Sequence, residues 1–559
     1  MPAPSASGTL SQSSSTQSAW GPGWQFKPQF LAREIYSDNI GLASHSADSR
    51  AAFVTELSPG LRIHRDGSRN KFDLNYRLQS FFYAGIDRGA QLRNRLQMNS
   101  TTELVDDEIF LDSRSTIGQA NTNAVGRLVT DNSSATNTQS EYKSFRLSPY
   151  WRPHLGGYVE GEIRFAYGYV GSGNTSSLSN AHLIQESVNL ENGHKDMPFG
   201  WRANFNNYDI QREQSAGIRG SNDILFRNYN GELSYGLTKE YFVLAQAGVY
   251  DNDFGSSSGA RQSRNGAYFT PGLAWIPSPR FSLAGGYGIN NRFATLRWSP
   301  TPRTGLQVYY RNSDVGGATS TGFGTGLNNG VAGFGQTLSS TQDASTGQGY
   351  NLWSSPFGPL GGGNVGSTWN GSLFHRTRMT FWNATYLVST TTVQQLLSEQ
   401  QVFDRLVDVQ GNLGDPEANP VPIDLPSFSD AIITRKRGQV SVTGFTAKNT
   451  VRLSAYHENR RYEGDISSSD RDVYGFMASW NWRIGSRTSS TVRGAWQEIQ
   501  SQGNRSNQSE LYYVSWILNR RVTEFLDGAV ELRHQQLDAN DRRSDYTENR
   551  VSASVNVHY

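Results

Sequence analysis

The sequence predicts an all-β chain: a transmembrane antiparallel β-barrel of about 24 strands, within roughly 20 to 26, with short periplasmic turns and long extracellular loops. Three observations point there. The chain is polar yet rich in aromatic residues, it holds no apolar run long enough for a spanning helix, and apolar and polar residues alternate in segment after segment.

A chain of 559 residues ordinarily divides into several soluble domains. Only 36% of these residues are apolar, whereas Trp, Tyr and Phe make up 12%, and the mean hydropathy is -0.58. A membrane barrel reconciles these values, because each strand sends apolar side chains to lipid and polar ones to the lumen. A spanning helix needs roughly 18 to 20 consecutive apolar residues, and the best run, Tyr241 to Tyr250, reaches about half that length.

There is no cysteine, which excludes disulfides, thiolate metal sites and covalently attached haem. The formal net charge of +2 gives no case for nucleic acid. Lysine occurs only at Lys27, Lys71, Lys143, Lys195, Lys239, Lys436 and Lys448, so most positive charge is arginine. The arginine fork suits carboxylates, phosphates and sugar hydroxyls; a GC-rich genome would give the same bias. Met1 to Trp20 show no basic region followed by an apolar one, hence no signal peptide. Residues 1–23 read as a disordered periplasmic segment and 24–559 as one barrel. For an exported protein, this implies a mature chain with an added Met, or a true start upstream.

The last strand is the clearest. Val551, Ala553, Val555, Val557 and Tyr559 share one face, and Ser552, Ser554, Asn556 and His558 the other. Such a strand resembles the signal read by the outer-membrane insertion machinery, carried here by Val555, Val557 and Tyr559, with Tyr where Phe is usual. Similar alternation marks Val159 to Tyr169, Tyr474 to Arg483 and Phe72 to Gln79. Short links such as Asp66-Gly67-Ser68, Thr301-Pro302-Arg303-Thr304 and Thr446-Ala447-Lys448-Asn449 alternate with long Ser, Asn, Gly and Asp-rich ones, which distinguishes a membrane barrel from a soluble sandwich. The pattern is weakest over Leu92 to Ile117 and over Arg280 to Trp298, where Asn290-Asn291 suggests a tight outer hairpin.

Two loops stand out. Asp314 to Asn370 is dominated by Gly, Ser, Thr and Asn and reads as a long mobile loop. Within 392–430, Val393, Leu396, Leu397, Phe403, Leu406 and Val407 recur at helical spacing before the proline-rich Asp415 to Pro426. This predicts a short amphipathic helix on the barrel mouth, packed on its outer rim or else folded inward to narrow the pore; the rim is the preferred placement.

No catalytic constellation is visible, so no enzyme activity, cofactor or metal is expected. The nine histidines are scattered without ligand spacing. Glu463, Asp465, Asp470 and Asp472 lack the spacing and glycine of a calcium loop and read as a solvated loop. The polar faces of the strands are more informative. Candidate lumen residues are Arg77, Glu160, Glu162, Arg164, Gln307, Tyr309, Arg311, Arg452, Tyr456, Glu458, Arg460, Arg493, Glu531, Arg533 and Gln535. Mixed arginine, carboxylate, amide and tyrosine suits a hydrated passage for polyhydroxylated polymers; the plainer alternative is that these residues only brace the wall. About two dozen residues precede the first strand, too few for an N-terminal plug domain, which leaves the barrel open, filled by its loops or filled by a partner.

The opening strand, Trp24-Gln25-Phe26-Lys27-Pro28 through Glu34-Ile35-Tyr36-Ser37-Asp38-Asn39-Ile40, resembles the start of outer-membrane barrels associated with exosortase/PEP-CTERM and exopolysaccharide systems. The likeness extends loosely to Arg376-Thr377-Arg378, to the strand from Tyr386 to Gln395 and to the closing strand. The resemblance implies an integral location in the outer membrane of a Gram-negative bacterium and a role in moving or anchoring extracellular polysaccharide, and it brings no catalytic residues. For Asp38 and Asn39 a structural place at the strand end is preferred to ligand binding. The leading expectation is therefore a porin-like channel for exopolysaccharide export. Its partners would be outer-membrane lipid, the insertion machinery, polysaccharide and periplasmic export proteins. The alternatives are a sheath around a multihaem cytochrome and a surface scaffold or receptor with a closed lumen.

Overall fold

The computed structural model describes residues 23–44, 48–124, 127–156, 158–173, 178–192, 198–213, 223–254, 262–263, 265–313, 366–398, 426–463, 470–501, 508–540 and 544–558. Its single sheet has 26 strands, of which His154–Leu155 and Gln262–Ser263 are two-residue pieces at hairpin ends. The other 24 run from Trp24–Ser37 to Tyr546–His558, each antiparallel to its neighbours. The first strand closes on the last, with Gln29 opposite His558 and Ser37 opposite Arg550. The chain is thus a closed transmembrane barrel of the outer-membrane type. Lipid offers backbone N–H and C=O groups no partner, and only a closed ring of strands leaves none at an edge.

Strands of 13 residues, such as Gln139–Trp151, and of 15, such as Ala52–Asp66, exceed the roughly 9 to 11 needed to cross hydrocarbon, so their ends stand outside it. Along Gln139–Trp151 the side chains of Ser140, Tyr142, Ser144, Arg146, Ser148 and Tyr150 point inward and are buried. Phe145, Leu147 and Trp151 point outward and are exposed. Exposed Trp151, Trp275, Trp298, Trp382 and Trp482 lie toward the short turns, and Tyr36, Phe53, Phe82, Phe269 and Tyr287 toward the opposite end. These are the two interfacial girdles of a membrane barrel, with aliphatic residues such as Val514 and Leu532 between them. In the closing strand Val551 and Val555 face outward as expected, while Tyr559 lies outside the described residues.

The two weak stretches both form hairpins. Gln91–Val105 pairs with Ile109–Asn121 through a register shift at Glu103/Val105. Phe281–Gly288 pairs with Asn291–Thr301, and the tight outer turn is Ile289-Asn290, with Asn290 in the left-handed region at φ 58. The expected loop 314–370 is too long, because Gly366–Arg376 is a strand; its remainder, 314–365, is outside the described residues. The strand expected to reach Gln395 ends at Thr392, and the helix α1, Val393–Ser398, begins there. Phe403, Leu406 and Val407 are not among the described residues.

Phe165 sits near the middle of the strand Val159–Ser172 and faces lipid. Phe165→Arg is expected to lower barrel stability by about 2 to 4 kcal/mol in urea titrations in lipid vesicles, whereas Leu155→Arg at the periplasmic rim costs about 0 to 1.

Candidate functional site

All the lumen candidates occupy inward-facing positions of their strands. Several are drawn into clusters. Arg164 Nε donates to Glu162 at 2.8 Å, and its Nη1 donates to Asp112 and to Ser148, each at 2.9 Å. Glu458 accepts from Arg435 Nε at 2.6 Å, Arg460 Nε at 2.7 Å and Arg437 Nη1 at 3.1 Å, while Arg437 lies 4.4 Å above the Tyr456 ring. Tyr309 and Arg311 share a third part of the wall, where Arg311 Nε donates to Asn291 at 2.7 Å. Arg533, Gln535 and Glu531 lie at the closing seam. Arg77 Nη2 donates to Gln29 at 3.3 Å and Arg452 Nε to Thr443 at 3.5 Å, while Glu160, Gln307 and Arg493 occupy further inward positions. Bracing of the wall is therefore part of what these side chains do.

The lumen is not an empty tube. Between the strands Ile109–Asn121 and Gln139–Trp151, the residues from Leu128 to Ser134 fold inward and lie on the wall at the seam. Leu128 and Val129 bury against Leu511, Leu537 and Tyr546, each such burial contributing about 1.5 to 3 kcal/mol. Asn121 holds Val129 by both its N–H and its C=O. Thr130 Oγ1 donates to Gln535 at 2.6 Å, Asn132 Nδ2 to Gln79 at 2.7 Å, and Tyr83 OH to the Ser133 carbonyl at 3.1 Å.

Asp131 is the centre of this contact. Its Oδ2 lies 2.7 Å from Arg550 Nη1, 3.2 Å from Arg533 Nη1 and 3.7 Å from Arg33 Nη2, and its Oδ1 accepts from Ser133 N at 2.7 Å. Glu56 pairs with Arg33 at 2.7 Å, and Glu548 with Arg550 at 2.7 Å and Arg533 at 3.5 Å. On the wall Arg33, Arg533 and Arg550 stand among the carboxylates of Glu56, Glu531 and Glu548, and the inward loop adds Asp131 within reach of all three arginines. Burial by itself would raise the Asp131 pKa, but Arg550, Arg533, Arg33 and the Ser133 hydroxyl outweigh it and hold the carboxyl well below the usual range.

A second segment enters from the other side. Helix α1 follows the strand Thr380–Thr392 but packs on Gln139–Trp151 and Val159–Ser172, nearly opposite in the ring. Val393, Leu396 and Leu397 bury among Tyr142, Val170, Leu183, Tyr208 and Phe226. The preferred outer-rim placement is thus corrected: the apolar patch on the inner wall of these strands draws the helix into the lumen. Thr392 Oγ1 caps it by accepting from Gln395 N at 3.2 Å. On the return leg, Asp430 accepts from Ser179 N at 3.0 Å, Ser179 Oγ at 2.6 Å and Gln394 Nε2 at 2.6 Å. The two inward segments meet where Phe428 N donates to the Thr122 carbonyl at 2.9 Å and Ala124 N to Ser427 Oγ at 2.8 Å.

Asp38 and Asn39 also have a structural place. Asn549 N donates to Asp38 at 2.8 Å, and Asn39 Nδ2 to the Thr547 carbonyl at 3.0 Å, so both residues clamp the first strand to the last. In the acidic group proposed as a solvated loop, Asp470 accepts from Tyr462 N at 3.2 Å and Asp472 from Asn459 Nδ2 at 2.9 Å; Asp465 is outside the described residues. Sequence reading missed Arg33, Glu56, Asp131, Glu548, Arg550, Arg435 and Arg437. Extending the closing strand's alternation upstream puts Tyr546, Glu548, Arg550 and Ser552 on one face, which was a usable signal; the Thr130 to Ser134 loop carried none.

Asp131→Asn leaves the seam arginines partly uncompensated, a change expected to destabilise the inward loop by about 3 to 5 kcal/mol. Trypsin should then cut after Arg127, with the barrel's heat-modifiable gel mobility unchanged. Because the folded pKa of Asp131 is depressed, its contribution is full above an unfolded pKa of about 3.9 and is lost as pH falls through the folded value. The stability difference between wild type and Asp131→Asn should therefore stay constant from pH 7 to about 4 and shrink below that, in denaturant titrations at each pH.

No protein-family model matches the chain, and no curated protein matches it in sequence. Among solved structures it is similar to the FrpB iron transporter from Neisseria meningitidis (F5-1 variant), with 9% identity, TM-score 0.45, and coverage of 96% of this chain and 82% of that one. It is also similar to BauA, the ferric preacinetobactin receptor from Acinetobacter baumannii, with 10% identity, TM-score 0.45, and 96% and 80% coverage. OccAB3 from Acinetobacter baumannii matches at 10% identity and TM-score 0.28, over 96% of this chain and 99% of that one.

Proposed function

We propose that this outer-membrane barrel is a channel through which an extracellular polysaccharide passes, kept closed by the segments folded into its lumen. The observation that carries the reading is the inner wall, where arginine, amide and tyrosine side chains replace the apolar filling of a core. Forked donors hydrogen-bond sugar hydroxyls and carboxylates, and tyrosine faces stack on sugar rings. The stopper is held by a few polar contacts and short apolar patches, so it can be displaced without unfolding the barrel. The same reading places the chain with barrels of exosortase/PEP-CTERM systems, on the Tyr36 to Ile40 segment, with periplasmic export proteins as partners and no catalytic role.

The inward segments also favour one alternative, a surface scaffold or receptor whose lumen stays shut. They count against a sheath for a multihaem cytochrome, because they take up lumen space that such a partner would need.

Planar-bilayer recordings decide between channel and scaffold. Wild type is expected to conduct weakly, and Asp131→Asn to open to a conductance at least several-fold larger that polysaccharide fragments block from one side. A barrel that remains silent in both forms would remove the channel reading and leave the scaffold.

A further inference from the structure

Five successive periplasmic turns each carry one cation. Arg280, Arg303, Arg378, Lys448 and Arg487 stand in the links that join ten consecutive strands, from Gly266–Ser278 to Thr488–Ser501, and none of these links contains a carboxylate. All five side chains are exposed. Arg280 Nη1 donates to the Pro300 carbonyl at 3.5 Å, and none of the five cations forms an ion pair among the described residues.

Elsewhere on the same rim the charges are arranged differently. The link between Gln91–Val105 and Ile109–Asn121 is Asp106-Asp107-Glu108, and the cation of the neighbouring turn is paired with it, Arg69 Nη2 lying 3.1 Å from Asp106. The link after Ile224–Gly236 carries Lys239 beside Glu240. The periplasmic rim is thus polarised, with unpaired positive charge along one arc and carboxylates along the other.

The outer face of the ten strands shows what lies against the basic arc. Trp275, Trp298, Trp382, Trp480 and Trp482 are exposed to lipid, each within a few residues of a turn. Trp382 Nε1 donates to Thr380 Oγ1 and Trp480 Nε1 to Asn449 Oδ1, each at 3.0 Å, so both indoles aim their polar edge at the turns. A ring at the boundary of hydrocarbon and headgroups takes this orientation. The cations on the links beyond these rings therefore stand at the level of the lipid phosphates.

Their spacing suits separate ligands. Strands lie about 4.7 to 4.9 Å apart, so successive links follow one another at about 10 Å. This exceeds the Debye length of about 8 Å at physiological salt, so the cations repel one another weakly and each can take a phosphate of its own. Arginine forks match phosphate oxygens, and lysine meets them as a point charge. A compact acidic protein, or a polymer crossing the lumen, would call for charges gathered in one place. A row along ten strands, just beyond lipid-facing tryptophans, fits the surface of a leaflet.

We propose that this arc binds the headgroups of anionic phospholipids in the inner leaflet of the outer membrane and so fixes the depth of the barrel on that side. The inference depends on the membrane barrel and its short-turn face and is independent of the polysaccharide reading.

The experiment reconstitutes the full chain in phosphatidylcholine vesicles containing a fraction of brominated phosphatidylglycerol or, in parallel, of brominated phosphatidylcholine, and compares the quenching of tryptophan fluorescence. Most of the exposed tryptophans belong to these ten strands, so quenching is weighted towards lipid at the arc. Wild type is expected to favour phosphatidylglycerol at least threefold at low salt, with the preference falling towards parity as salt rises. Replacing Arg280, Arg303, Arg378, Lys448 and Arg487 together by Gln should abolish the preference with heat-modifiable gel mobility retained. The triple variant Arg378→Gln, Lys448→Gln and Arg487→Gln should lose about half of it, which provides a second reading if the fivefold variant fails to fold. Asp106→Asn with Asp107→Asn, on the other arc, should leave it in place. No preference in wild type, or a preference that survives high salt or the loss of the five cations, overturns the proposal. A wild type without lipid preference that instead binds oligogalacturonate through the same five residues also overturns it and assigns the arc to an acidic polymer.

Discussion

Closure of the sheet is the constraint on which everything else depends. In hydrocarbon an open edge would leave a row of backbone groups unpaired, each at a cost of several kcal/mol, so the first strand must find the last across more than five hundred residues of sequence. Side chains secure that encounter. Asp38 and Asn39 reach to Asn549 and Thr547, and Ser37 Oγ donates to Glu548 at 2.5 Å. The same Glu548 binds Arg550 and Arg533, which in turn bind Asp131 of the inward loop. The seam of the barrel and the stopper in its lumen therefore share one network of charges.

That sharing explains why a polar loop enters the barrel instead of remaining in water. Buried guanidiniums need close carboxylate partners. Asp131 reaches Arg33, Arg533 and Arg550 at once, and two apolar side chains, Leu128 and Val129, settle into the wall beside it. On the strands Gln139–Trp151 and Val159–Ser172 the logic is mainly apolar, since α1 covers a patch of Tyr, Phe, Val and Leu that would otherwise face the lumen. One half of the stopper thus depends on ionisation and the other on hydrophobic burial.

The architecture was legible in the sequence because a membrane strand repeats every two residues and its partners in the ring are its neighbours in the chain. Val159 to Tyr169 and the closing strand announce themselves, and the inward positions of Arg164, Glu458 and Arg533 follow from the same alternation. What alternation cannot express is contact across the lumen. Asp131 sits in a run of Thr, Asp, Asn and Ser with the composition of any surface loop, and its partners lie hundreds of residues away. The placement of α1 was misjudged for a related reason. Its apolar stripe shows that one face is buried, while the wall that covers it is assembled from strands far away in sequence. Thr392 caps the helix from the end of the strand, a signal overlooked when the strand was carried on to Gln395.

The central claim is that the loop residues Leu128 to Ser134 lie inside the barrel, pinned to the seam wall. The chain's lack of cysteine makes a direct test available. Asn132 Nδ2 donates to Gln79 Oε1 at 2.7 Å, and the two residues are separated in the chain by the strands Gln91–Val105 and Ile109–Asn121. With Gln79→Cys and Asn132→Cys introduced together, a short bifunctional thiol reagent applied to whole cells should link the pair in most molecules, giving a faster-migrating band. Absence of that link, together with rapid modification of the Asn132→Cys single variant by a maleimide too large to enter the barrel, would contradict the account.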